Sequence, residues 1–316
     1  MSKCSVSRAA GHGRLTEPLV SVVMNGFNSA RYLSEAIASL RAQTYERWEL
    51  VFWDNRSEDK SAAIVRACDD PRIRFHCAPR RMSLAEGRNA AIAQAHGDWI
   101  AFLDCDDLWT ADKLTKQFER LAGDDGDDVG LIYCRTRSFS ARGDEGDTTY
   151  LYAGRPLPEG NILRSLLLEG NLVPIVSAMI SRQAYEATGG IPIRFTFAED
   201  YWLFVAIAAR FRALCVQDVC CQYRIHEESA TYRDKLTSHR EALQVLEEWA
   251  WALAPEELRA RQAVYHTLAA MELLRRPGCR VEGLAELFQQ GSLRFLARGT
   301  ARHAYRRYVL GLRPYA

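Results

Sequence analysis

The chain has no long apolar run. Nowhere do about eighteen uncharged apolar residues follow one another, which excludes a membrane-spanning helix. Met1 to Glu17 is polar and lacks the apolar core of a secretory signal. Neither sign of charge is in excess: 41 Lys and Arg stand against 40 Asp and Glu, for a net charge of +1. Nothing in that balance calls for nucleic acid as the partner. The nine cysteines show no C-x-x-C pair and no metal-ligand spacing, so a reduced cytoplasmic protein is the simple reading. There is no internal repeat and no low-complexity tract. The G-x-G-x-x-G of dinucleotide-binding enzymes is missing after the first predicted strand; Gly11-His12-Gly13 precedes that strand and reads as tail. What is left is ordinary for a globular enzyme: 48% hydrophobic and 26% charged residues.

From Leu19 onward short apolar strands alternate with amphipathic helices. Strands are expected over Leu19–Met24, Trp48–Trp53, Ile73–Cys77 and Trp99–Leu103. Helices are expected over Ser29–Gln43, from Ser57 through Val65, and over Leu84–His96. In the first helix Ala30, Leu33, Ile37 and Leu40 recur at spacings of three and four. Such alternation implies parallel pairing with right-handed crossovers, hence an α/β sheet covered on both faces. Beyond Asp112 a helix (Lys113–Leu121), the acidic turn Gly123–Asp128 and a strand (Val129–Cys134) follow. Further strands are expected near Val173–Ile180 and Ala213–Tyr223, with a helix over Asp200–Arg210 between them. After about Ser238 the pattern is helical, punctuated by Pro255 and Pro277.

In open parallel sheets, ligands bind beyond the carboxyl ends of the strands. Three polar clusters fall there: Asn25-Gly26-Phe27-Asn28, Asp54-Asn55-Arg56-Ser57 and Asp104-Cys105-Asp106-Asp107. Three carboxylates within four residues repel one another unless a cation or hydrogen-bond donors compensate. Hard oxygen ligands suit Mg²⁺ or Mn²⁺, which take one or two protein carboxylates together with substrate phosphates. The plainer alternative is an acidic helix start, with Asp107 or Asp112 capping the helix that contains Leu114 and Phe118.

Taken in order, PLVSVVMNGFNSARYLSEAIASL, YERWELVFWDNRSEDKS and GRNAAIAQAHGDWIAFLDCDDLW resemble glycosyltransferase family 2. TGGIP, AEDYWLF and YRIHEESAT extend the resemblance over residues 18–231. It implies a GT-A fold: a Rossmann-like, mostly parallel sheet flanked by helices, here with a helical C-terminal appendage over 232–316 and a tail over 1–17. It also implies an inverting transfer from a nucleotide-sugar donor, UDP-linked, to a hydroxyl of a glycan or lipid-linked acceptor in surface polysaccharide or lipopolysaccharide synthesis. Residue by residue, Asn25, Phe27 and Asn28 would line the nucleotide, with Asn25 replacing the family's proline. Asp54 matches the base-binding carboxylate, while the second Asp and the Gly of the family's Asp-Asp-Gly-Ser pattern become Asn55 and Arg56. Arg88 stands where a basic residue often lies near the donor; otherwise it reads as a solvated helix residue. Asp104 and Asp106 would contact the donor, and Asp106, Asp107 and His226 the metal, Mn²⁺ or Mg²⁺; alone, His226 reads as an ordinary loop histidine.

The acceptor hydroxyl is a weak nucleophile, so a carboxylate general base is needed on its side. By itself the pair Glu199-Asp200 reads as capping of a helix start. The resemblance makes Asp200 the base and Glu199 a neighbouring contact, with Trp202 either lining the acceptor or in the core. Two other classes compete. A sugar-phosphate nucleotidyltransferase would need a Gly-rich, Arg-containing loop after the first strand, which Asn25 to Asn28 does not supply. A non-catalytic nucleotide-sugar-binding module would not need Asp106, Asp107 and Asp200 together. Finally, Arg294, Arg298, Arg302, Arg306, Arg307 and Arg313 follow the last acid, Glu286, among aromatic residues. That mixture suits peripheral contact of 291–316 with an anionic membrane face; the plainer reading is a C-terminal helix packed on the catalytic domain with its arginines in water.

Overall fold

The computed structural model describes residues 17–124, 126, 128–140, 143–147, 156–226 and 234–289. The expected tail over 1–17 therefore lies almost wholly outside the described residues, and the basic segment 291–316 does so entirely. Four parallel strands form the first half of one sheet: β1 (Val20–Gly26), β2 (Trp48–Asp54), β3 (Ile73–Cys77) and β4 (Trp99–Phe102), in the order β3-β2-β1-β4. Every residue of β2 is buried, as a strand covered on both faces requires. Side chains alternate between the two faces. Val23, Val51, Ile100 and Phe102 enter one core, while Val22, Leu50, Phe52 and Ala101 enter the other.

The second core is closed by α1 (Ala30–Arg41), which buries Leu33, Ala36, Ile37 and Leu40. Each of its larger apolar side chains contributes roughly 1.5–3 kcal/mol on burial. The first core is closed in part by α3 (Leu84–Ala93), whose start is fixed by a capping box between Ser83 and Glu86. Between these helices α2 (Ser61–Arg66) begins four residues later than the Ser57 start expected from sequence. The reason is that Ser57 is engaged in the turn after β2: its N–H donates to Asp54 and its hydroxyl accepts from the Asn28 N–H.

Past β4 the sheet becomes mixed. It continues through β5 (Leu108–Trp109), α4 (Lys113–Ala122), β6 (Val129–Ser140), β7 (Gly143–Asp147), α5 (Leu163–Glu169), β8 (Met179–Ser181), α6 (Arg182–Thr188), α7 (Glu199–Ala208) and β9 (Arg212–Arg224). The order runs β4-β8-β6-β9-β5, with β7 on β6; β8 is antiparallel to both neighbours, and β9 runs parallel to β6. The strand expected near Val173–Ile180 is a correction: only Met179–Ser181 pairs. Pro174 has no N–H to give a ladder, and its carbonyl instead accepts from the Ser177 N–H and hydroxyl in a 3₁₀ turn over Ile175–Ser177. Asp112 precedes α4 without capping it; its carboxylate accepts from the Thr110 hydroxyl and pairs with Lys116.

Among the described residues the C-terminal part forms α8 (Lys235–Glu248), α9 (Pro255–Arg275) and α10 (Arg280–Gln289). Pro255 opens α9, where its missing N–H costs nothing. Trp202, a candidate for the acceptor side, faces α8 instead: its indole N–H donates to Glu248 Oε2 at 2.7 Å, and its ring meets Trp249 edge-on.

Candidate active site

The parallel half brings the first two polar clusters together. Gly26 is level with Asp54, and the Asn55 N–H donates to the Gly26 carbonyl at 2.7 Å. Asp54 is 3% exposed, and its Oδ1 accepts from the Ser57 N–H at 3.1 Å. Asn28 takes a left-handed φ of 51° and accepts the Glu58 N–H on its own side chain, lacing the first loop to the second. Phe27 is exposed on the rim, with the Arg81 guanidinium over its ring. Asn25 points inward, where its Oδ1 is buried without a hydrogen-bond partner. It packs on Gly87 of α3, where a Cβ would stand 2.4 Å from Asn25 Nδ2. Asn55 does not face a ligand: its amide both donates to and accepts from the Met82 backbone, pinning the segment before α3.

The acidic loop separates its three carboxylates. Asp107, expected on the metal, is 1% exposed, and its Oδ1 accepts from the Arg224 N–H at 2.8 Å. Burial, then the neighbouring Asp106 and Asp104, push its carboxyl well above the usual range. Asp107 Oδ2 has no partner. Asp106 is more open and stands 2.9 Å from His226 Nε2 through Oδ2. The pair meets because β5 runs antiparallel to β9, with Leu108 level with Gln222. That register sets the acidic loop beside Arg224 and His226. Arg224 is the residue the sequence reading passed over, although it lies in the quoted YRIH segment. Its Nε donates to the Asp106 carbonyl, its Nη2 donates to Glu35, and its guanidinium lies over Tyr32 and Phe139.

Arg88 is not a solvated helix residue. It is 4% exposed; Nη1 donates to Glu199 Oε1 at 2.7 Å and Nη2 to Asp104 Oδ1 at 3.2 Å. A buried guanidinium satisfied by two carboxylates ties the acidic loop to the start of α7. Glu199 is 3% exposed, with Oε2 unpartnered, and burial pushes its carboxyl up to about 7 against the pull of Arg88. Asp200 is partly exposed. Its Oδ2 accepts from Asn171 Nδ2 at 3.1 Å and its Oδ1 from the Tyr201 N–H at 2.6 Å, and desolvation raises its carboxyl too. Asn171 had no sequence signal.

The sheet order, the helices on both faces and the loops at the carboxyl ends of β1, β2 and β4 define a GT-A fold. The family model described as "Glycosyl transferase family 2" matches residues 21–187, more than half of the chain. The chain belongs to that family and is an enzyme of the transferase class. It is 28% identical over 215 residues to the Escherichia coli UDP-Glc:alpha-D-GlcNAc-diphosphoundecaprenol beta-1,3-glucosyltransferase WfgD, covering 67% of this chain and 79% of WfgD. The succinoglycan biosynthesis protein ExoO of Rhizobium meliloti is 38% identical over 130 residues, 39% of this chain but only 37% of ExoO. Among solved structures, the mannosyltransferase PcManGT from Pyrobaculum calidifontis, in complex with GDP-Man and Mn²⁺, superposes with a TM-score of 0.62 at 21% identity, covering 94% of this chain and 83% of that one.

Proposed function

We propose that the chain is an inverting glycosyltransferase that moves a sugar from a UDP-linked donor to a hydroxyl acceptor in the assembly of a surface polysaccharide or lipopolysaccharide. The observation that carries this reading is the Arg88 bridge: one guanidinium joins Asp104 of the acidic loop to Glu199, the neighbour of Asp200. The donor-side loops and the acid pair thus belong to one polar site. WfgD, named for a UDP-Glc donor and a diphosphoundecaprenol-linked acceptor, supports the donor and acceptor class, and ExoO supports the polysaccharide role. Uridine is preferred over guanosine because WfgD is named for a UDP-Glc donor, whereas the likeness to the GDP-Man-bound PcManGT, at 21% identity, is one of fold.

Asp106 and His226 fit a divalent cation. Oxygen and imidazole donors suit Mn²⁺. Asp106 Oδ2 and His226 Nε2 stand 2.9 Å apart, so the two side chains would hold the ion from one place. A divalent ion held by one or two protein side chains would complete its shell with donor phosphates. Bound Mn²⁺ or Mg²⁺ would supply Lewis-acid stabilisation of the departing diphosphate. Asp107 keeps the loop in place through Arg224. Asp54 accepts a base N–H, and Phe27 offers its ring at the rim. Asp200 takes the acceptor proton while Asn171 orients its carboxylate, and attack opposite the diphosphate inverts the anomeric centre.

Asp200→Asn tests this directly. The variant should keep UDP-sugar and Mn²⁺ binding by calorimetry and lose transfer by ~10²–10⁴-fold, the usual contribution of a general base. Turnover within a few-fold of wild type would place the base elsewhere.

A further inference from the structure

We propose that Glu241, on the C-terminal helix α8, is a positioning residue for the Asp200 carboxylate. The proposal rests on the transferase reading above. Glu241 is 7% exposed, and its carboxylate accepts three successive backbone N–H groups from another part of the chain. Oε1 takes Thr196 at 2.9 Å; Oε2 takes Phe197 at 2.8 Å and Ala198 at 3.0 Å. These amides immediately precede Glu199 and Asp200.

The local sequence explains why outside help is needed. A helix start leaves N–H groups without intrahelical partners, and Ala198, at the N-cap of α7, has no side chain able to accept one. Ala198 is buried, where an unpaired amide is costly, while Thr196 and Phe197 lie nearer the surface. Glu241 takes the N-cap amide of Ala198 and the two amides before the helix, those of Thr196 and Phe197, with charge-assisted bonds, the stronger kind. Two oxygens gripping three consecutive amides fix the direction in which the chain enters α7. Asp200 is the second residue of that helix, so its carboxylate inherits the direction. The appendage also touches α7 through Glu248, which accepts from the Trp202 indole and pairs with Arg194. Glu248 holds the helix bodies together without meeting any of the three amides. It is the natural control.

The experiment compares full-length wild type, Glu241→Ala, Glu241→Gln and Glu248→Ala, each shown by thermal melting to unfold cooperatively. Amide hydrogen exchange is read over residues 194–201, and kcat and KM are measured with a UDP-sugar panel and Mn²⁺. Glu241→Ala should speed exchange at 196–198 by about tenfold or more. Its kcat should fall by about 10- to 100-fold, the cost of a misplacement near 1 Å, with donor KM held within about threefold. Glu241→Gln, which keeps an acceptor without the charge, should recover part of kcat, and it carries the test if the alanine variant does not fold. Glu248→Ala should leave kcat within about twofold. Unchanged exchange in Glu241→Ala overturns the proposal, as does faster exchange with unchanged kcat, or an equal loss in Glu248→Ala. Should wild type transfer no sugar from any donor, the transferase reading fails by that result, and the exchange data alone decide whether Glu241 sets the entry to α7.

Discussion

Asp54 is oriented by a backbone N–H three residues away, whereas Glu199 is held by a guanidinium 111 residues away. The contrast runs through the whole site. On the donor side the loops after β1 and β2 are laced by bonds spanning 29 and 30 residues, between neighbouring strands of one parallel unit. On the acid side Arg88 comes from α3, 111 residues from Glu199, and Glu241 from α8, 43 residues from Ala198. The donor loops are thus a property of a compact βαβ unit. The acid pair depends on the whole chain having folded around it, so a single change at a distant anchor should disturb it more than one in the donor loops.

The hardest test of that contrast is Arg88→Met. It removes the one group joining both sides and leaves Asp104 and Glu199 without their cation, so stability should fall by about 3–5 kcal/mol. The loss should depend on pH. Folded Glu199 keeps its proton up to about 7, while the unfolded chain releases it near 4.5. The native state therefore binds more protons in that window, and this group's contribution falls as pH rises through it. Without Arg88 the carboxyl is pushed higher still. Urea midpoints of wild type and variant should therefore diverge further at about pH 8 than at about pH 5. A constant gap would show that Arg88 does not balance these carboxylates.

Next in size is Asp106→Ala, which should cut Mn²⁺-dependent turnover by about 10²–10³-fold, as removal of one charge-stabilising group commonly does. Asp107→Asn, at a residue already buried and bonded to the backbone, should lower thermal stability and shift the Mn²⁺ requirement less. A Mn²⁺ titration in which Asp107→Asn shifts the requirement more than Asp106→Ala would return the ion to Asp107.

The same division explains what could be read from sequence. β1 to β4 were legible because each is a short buried run at a spacing that only crossovers satisfy, and β3 has the bounds expected. Asp54 and the acidic cluster were legible because strand ends in a parallel sheet share one edge. β5 is two residues long, too short for any period to register, yet it brings Asp106 to His226. α5 and α6, seven residues each, were missed for the same reason. The Arg88 bridge and the Glu241 grip have no local signal, since nothing in GRNAA or HREAL names a partner so far along the chain. The strand expected near Val173–Ile180 starts too early because the apolar run masks Pro174, whose missing N–H keeps it out of a ladder.

Asp54→Ala is expected to have a smaller effect, confined to the donor side. Losing one hydrogen bond from the base to a charged acceptor should weaken UDP binding by roughly 10- to 150-fold, about 1.5–3 kcal/mol, with little change in the rate once donor is bound. Calorimetry with UDP, GDP and CDP checks both parts. Tighter GDP binding by wild type would overturn the uridine assignment.

The smallest expected effect probes Arg56, one of the positions where the donor loops depart from their family's pattern. The family's Asp-Asp-Gly-Ser turn has glycine where this chain has Arg56, and Arg56 nonetheless holds a φ of 61°. A side chain in that left-handed region crowds the following carbonyl and costs roughly 1–2 kcal/mol. Arg56 is exposed, so its replacement sacrifices little packing. Arg56→Gly should relieve the crowding, although glycine gives back part of the gain through the greater freedom of the unfolded chain. The net expectation is a stabilisation of about 0.5–1 kcal/mol, seen as a modest rise in Tm. UDP affinity should hold, because the turn keeps its shape and Asp54 its bond from Ser57. If Arg56→Gly instead weakens UDP binding while raising Tm, the guanidinium itself reaches the donor, and the donor side holds a contact that its local geometry does not reveal.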